Sequence, residues 1–191
     1  MKSIKNKNEI KKHFCSVTKK MYPSENMIRF VLFPDNKYTI DLNYEFQGKE
    51  FFIFASKSTL ARIKDFVGDI YEKEPQVENL VTRIDSIIVK RIVSLIALAR
   101  KSGNLIFGFE RVKMALKSGD SDILFHANNG SPKELKRIKP RSVRLILVSL
   151  FSSSELGKVF NRDNVAHSCV LKGGLAKSLI LDVKKLEGIQ N

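Results

Sequence analysis

Residues 97–119, ALARKSGNLIFGFERVKMALKSG, constrain this chain more than any other stretch. They predict, in order, a helix end, a tight turn, a short apolar strand, a glycine elbow, a second helix and a glycine stop. Gly103 and Gly119 sit where helices close, and Gly108 sits where one opens. Arg100, Lys101, Arg111, Lys113 and Lys117 lie on or beside the polar face. A helix N-terminus offers backbone amides, and beside cations it suits a phosphate-bearing partner. Nothing in the stretch resembles catalytic machinery.

The pattern continues on both sides as helices between apolar strands. Asp85 or Ser86 is placed to cap a helix whose apolar positions are Ile88, Ile92, Leu95, Ile96 and Ala99. Strands are predicted at 105–107, 122–126, 144–149 and 165–171, with a helix over 109–117 after the elbow. Ser131-Pro132-Lys133-Glu134 and Ser152–Glu155 read as capping boxes that open two further helices. A basic amphipathic helix over 174–186 closes the series. Such alternation predicts a three-layer α/β/α sandwich with a mixed or parallel sheet.

Earlier in the chain the period changes. MIRFVLF (27–33), the turn Pro34-Asp35-Asn36 and KYTIDL (37–42) predict a hairpin, and EFFIFA (50–55) a third strand. Ser56 or Ser58 can cap a helix over 59–67 with Leu60, Ile63 and Val67 on one face. This is a small α+β unit. The fold class is therefore α/β in two parts: a basic arm over 1–12, an α+β domain over 13–67, a polar linker over 68–84 and the sandwich over 85–191.

Charge separates the same regions. The chain carries a net +14, and residues 1–20 hold seven Lys against one Glu. Residues 21–80 are net acidic, and 81–191 hold 20 basic against nine acidic side chains. The positive field thus comes from the arm and the second half, which favours a polyanion, most simply nucleic acid. Lys133, Lys136, Arg137, Lys139, Arg141 and Arg144 cluster within twelve residues that include one carboxylate, Glu134. Such a cluster contacts phosphates and sets affinity rather than sequence preference.

Several functional classes lack their signature. No apolar run approaches the roughly 20 residues of a membrane span. The first residues lack the apolar core of a secretory signal, so the expected compartment is the cytoplasm. Cys15 and Cys169 have no metal-ligand spacing and read as two reduced thiols. His13, His126 and His167 assemble no metal site by spacing. Lys172–Ser178 ends in Lys-Ser but lacks both glycines of a phosphate-binding Walker loop. No catalytic residue, metal or cofactor is expected.

Residues 90–180 resemble the kink-turn RNA-binding family, that of ribosomal large-subunit protein seven-Ae. The resemblance rests on ALARKSGNLIFGFERVKMAL, DILFHA, the element at 149–157 and Gly174-Leu175-Ala176-Lys177. Residues 13–63 resemble the YlxR family through Phe14-Cys15, Met27-Ile28-Arg29-Phe30-Val31, Ile40-Asp41-Leu42, Gly48-Lys49-Glu50-Phe51-Phe52 and Ala55-Ser56. The tandem order looks like that of a bacterial two-domain protein. The resemblance implies RNA binding without catalysis, with the elbow at Gly108 as the binding edge. Glu110, Arg111 and Met114 stand where the kink-turn pattern has Asn, Glu and Lys.

The expected function is thus a non-catalytic binder of structured RNA, ribosomal or another non-coding RNA, linked to translation or transcription. Ribosome or ribonucleoprotein contacts accompany that reading, and the oligomeric state stays open. The candidate contact residues are Lys101, Gly108, Phe109, Glu110, Arg111 and Lys113, then Lys133, Lys136, Arg137, Lys139 and Arg141, with Arg29 and Lys49 in the first domain. Two alternatives use the same residues differently: a nucleoid-associated or regulatory DNA binder, and a protein-docking module in ribosome or RNase P assembly.

Overall fold

The computed structural model describes residues 11–34, 38–63, 80–139 and 145–191. Outside them lie most of the basic arm, Asp35 and Asn36 of the expected turn, the end of the expected 59–67 helix, linker residues 68–79, Arg141 and Arg144. The chain divides into two compact units: Met1–Ile88 with Lys184–Asn191, and Val89–Val183.

In the first unit, β1 (Lys12–Phe14) and β2 (Met21–Pro23) form an antiparallel hairpin that the sequence pattern had not announced. β3 (Met27–Leu32) is the centre of a separate antiparallel sheet, flanked by β4 (Tyr38–Ile40) and β5 (Lys49–Phe54). Its central place explains its composition, since Met27, Ile28, Phe30 and Val31 are all buried. Phe30 stacks on Phe51 across the β3–β5 pair, with ring centroids 4.9 Å apart. Helix α1 (Lys57–Ala61) begins after Ser56, whose Oγ accepts the Thr59 amide at 3.2 Å. Leu60 and Ile63 are buried beneath it.

The remaining elements run α2 (Leu80–Lys101), β6 (Leu105–Phe107), α3 (Phe109–Lys117), β7 (Ile123–His126), α4 (Pro132–Ile138), β8 (Ile146–Val148), α5 (Ser153–Val159), β9 (His167–Val170) and α6 (Gly174–Gln190). The sheet order is β6-β9-β7-β8, with β7 and β8 parallel and the other neighbours antiparallel. The sheet is therefore mixed. β7 and β9 are inner strands, which is why all four residues of each are buried.

Successive strand residues face opposite sides, and helices cover both. On one side Val112, Ala115 and Leu116 of α3 and Ile138 of α4 pack against Leu124 and Cys169. On the other, Phe107 meets Phe160 with ring centroids 4.5 Å apart. In the same unit Arg91 of α2 donates through Nε to the buried Asp182 of α6 at 2.6 Å. Burial pushes the Cys169 thiol up to about 11, so it is an unreactive part of this core.

The caps show how closely local chemistry sets the element ends. At α2, the Asn104 amide donates to Ala99 O (2.8 Å) and the Gly103 amide to Arg100 O (3.1 Å), with Gly103 at φ +73°. Gly119 repeats this double bond at the end of α3. Ser152 and Glu155 form both halves of a capping box at α5. The expected start of α2 at Asp85 or Ser86 is corrected: the helix already runs at Leu80, which is buried. Asp85 instead accepts a hydrogen bond from Gln190 Nε2 at 2.8 Å.

Candidate nucleic-acid interface

The second unit builds its cationic edge around the N-terminus of α3. Gly108 is the cap residue at φ +91°, a conformation that favours glycine, and its own amide donates to His167 O at 3.1 Å. No side chain caps the helix, and a Cβ added at Gly108 would meet nothing within 4 Å. The first amides of α3 therefore open outward together with the positive end of the helix dipole. Exposed Glu110 stands in this first turn and Arg111 follows it.

Phe109 gathers the cations. Its half-buried ring has Lys113 Nζ at 5.5 Å and the Arg137 guanidinium carbon at 5.1 Å from its centroid. Lys113 comes from one turn further along α3, whereas Arg137 comes from α4. One aromatic side chain thus holds two positive charges from two helices at one place. Lys133, Lys136 and Lys139 are exposed on and just after α4, opposite buried Ile138. Lys133, Lys136 and Arg137 share a helical face through their i, i+3 and i, i+4 spacing. Lys101 does not join this group directly: it and Gly108 flank opposite ends of β6, a strand about 10 Å long.

A buried polar chain lies directly behind the ring. His126 and His167 are register partners on β7 and β9, with their Nδ1 atoms 3.1 Å apart. His167 Nε2 is 3.1 Å from Glu134 Oε2 on α4, and the Phe109 ring meets the His167 ring edge-on at 5.8 Å. The carboxylate only accepts, so His167 donates to it through Nε2–H, and one proton bridges the two facing Nδ1 atoms. Burial, then the neighbouring His167, lowers the His126 pKa and favours its neutral form. This chain fixes α4, and with it Arg137, against the sheet.

Sequence reading had separated the two histidines, because strand register was unknown; their shared place at the ends of two apolar strands was the available signal. It had also given Glu134 to a reciprocal capping box. Ser131 Oγ does accept the Glu134 amide at 3.4 Å, but the carboxylate goes to His167. Among the described residues no group of three or more His, Cys, Asp or Glu could hold a metal ion.

The two candidates in the first unit have different fates. Lys49 is exposed at the start of β5. Arg29 is 8% exposed, and its guanidinium is taken up inside the fold. It donates to Asp41 and Glu50, the latter at 2.6 Å, and to Phe46 O at 3.2 Å. Burial would push Asp41 up, but the Phe46 and Glu45 amides and the Arg29 charge outweigh it and hold its carboxyl below the ordinary range. Arg29 is thus held between the buried Asp41 and the exposed Glu50, and a phosphate would compete with both for it.

No family model matches the chain, so neither of the two resemblances read from the sequence has a matching family model behind it. No curated protein matches it either. Among solved structures it is similar to a protein of unknown function from Bacillus halodurans at 19% identity, covering 48% of this chain and 95% of that one, with a TM-score of 0.45. It is also similar to the Giardia lamblia 15.5kD RNA binding protein at 16% identity, covering 53% of this chain and 89% of that one, again with a TM-score of 0.45.

Proposed function

We propose that this chain is a non-catalytic RNA-binding protein that grips structured RNA, ribosomal or another non-coding RNA, along the edge formed by α3 and α4. The observation that carries the reading is the convergence of Lys113 and Arg137 on Phe109, beside the uncapped helix start at Gly108. Cations held at a fixed place beside outward amides bind phosphate oxygens and position a backbone. Exposed Lys133, Lys136 and Lys139 extend the field along α4. Folded RNA is recognised largely by shape and backbone, which this edge addresses without a base-reading pocket. The resemblance of 90–180 to a kink-turn RNA-binding family supports RNA over DNA and a role near translation. Glu110 and Arg111 at the elbow favour phosphate contact through Arg111 over the readout typical of that pattern. The cytoplasm is the compartment proposed along with this role.

Competition at one salt concentration tests the choice of nucleic acid. A labelled structured ribosomal RNA fragment should be displaced by the same unlabelled RNA at lower concentration than by duplex DNA of equal length. Equal displacement would favour the DNA-binding alternative instead.

A further inference from the structure

The β1–β2 hairpin of the first unit has two chemically distinct faces. Inward, His13 stacks on Phe52 with centroids 3.7 Å apart, and Tyr22 stacks on Phe54 at 4.2 Å. The hairpin is fastened further by the Ser16 amide donating to Phe52 O (2.9 Å) and the Phe54 amide to Cys15 Sγ (3.3 Å). A two-stranded hairpin alone is barely stable, so these contacts are what make it rigid.

Outward, the arrangement is unusual. Phe14 and Met21 are direct cross-strand partners, 50% and 57% exposed, although both are large and apolar. Lys12 lies two residues from Phe14 on the same face, while exposed Lys20, whose carbonyl accepts the Cys15 amide at 2.8 Å, stands beside Met21 at the turn and starts from the other face. An exposed aromatic ring with a thioether at its side, the Lys12 ammonium on its face and Lys20 beside the turn offers two things at once. The ring gives a flat apolar surface for a base, and the lysines give charge for the phosphates on either side. A protein partner would be served by the apolar pair, but the flanking cations match a polyanion.

We infer that the outward face of the β1–β2 hairpin is a binding site for single-stranded nucleic acid, with a base stacked on Phe14 against Met21 and the adjoining phosphates at Lys12 and Lys20. A duplex hides its base faces and cannot use the ring, so the site selects unpaired nucleotides. The hairpin arrives pre-ordered, so little conformational freedom is lost on binding. The inference stands on residues of the first unit and does not depend on the α3–α4 edge.

The chain has no tryptophan, so Phe14→Trp makes a single-tryptophan reporter at the site. Titration of the full-length variant with a ten-nucleotide oligouridylate should quench its fluorescence through stacking, and a ten-base-pair duplex should not. Phe14→Ala should weaken oligouridylate binding about tenfold or more. Its urea midpoint should stay unchanged, because the ring is half in solvent. Lys12→Ala with Lys20→Ala should flatten the slope of log affinity against log salt by about 1.4. The quenching should persist when Lys113→Ala and Arg137→Ala are added, which separates this site from the folded-RNA edge. Absence of oligouridylate binding, binding without quenching, equal quenching by duplex, or unchanged affinity of Phe14→Ala would each overturn the inference. A concentration-dependent dimer abolished by Phe14→Ala would overturn it in favour of self-association.

Discussion

The imidazoles of His126 and His167 face each other across β7 and β9 with Nδ1 atoms 3.1 Å apart, a contact that accommodates one proton between them. A second proton puts two N–H groups head to head. Burial first, and then the neighbouring His167, lowers the His126 pKa in the folded chain. In the unfolded chain a histidine titrates near 6.5. Between that value and the lower folded one the unfolded state binds more protons, so acid destabilises the fold. Above about pH 6.5 the contribution is complete, and it declines as pH falls toward the folded pKa. The urea midpoint should therefore drop between pH 7 and pH 5, and His126→Gln should remove part of that dependence. A wild-type midpoint flat over this range would contradict the arrangement.

Arg29 and Asp41 make a second, sharper case, because both are buried. Removing the guanidinium strands a buried carboxylate, which typically costs about 3–5 kcal/mol. Arg29→Ala should lower the stability of the first unit on that scale in urea unfolding, and Lys49→Ala, at an exposed position, should change it by less than about 0.5 kcal/mol. Similar small effects for both variants would show that the ion pair is not holding the sheet.

Much of this fold was legible because its ends are written in local chemistry. Gly103, Gly119 and the Ser152–Glu155 box each close or open a helix where the sequence places them, since a cap acts within a few residues. The apolar runs of β7 and β9 announced inner strands in a comparable way: burial on both faces leaves no room for alternation. What failed was non-local. The ion pairs of Arg29 stayed hidden because its partners lie 12 and 21 residues away and are brought near only by strand pairing. The His126–His167 contact needs the register of strands 41 residues apart. The meeting of Lys113 with Arg137 on one ring needs the packing of α3 beside α4. Asp85 has the chemistry of a helix start, but α2 is already running at buried Leu80.

The α5 cap offers a simple test of local energetics. Ser152 accepts the Glu155 amide at 3.2 Å, and the Glu155 carboxylate returns to the Ser152 amide at 2.7 Å. Ser152→Ala should destabilise the second unit by about 1 kcal/mol, read as a lower urea midpoint with an unchanged slope. No change would mean that neighbouring groups or water replace the cap without loss.

The central claim is that α3 and α4 together present phosphate-binding cations at one edge. It is tested most directly by measuring affinity for a structured ribosomal RNA fragment across a salt series, for the wild type and for Lys113→Ala with Arg137→Ala. Each lost phosphate contact lowers the slope of log affinity against log salt by about 0.7–0.9. The account expects a steep wild-type slope, weaker binding by the double variant at every salt, and a slope flattened by about 1.4–1.8. A wild-type affinity indifferent to salt, or a double variant matching the wild type in affinity and slope, would contradict it.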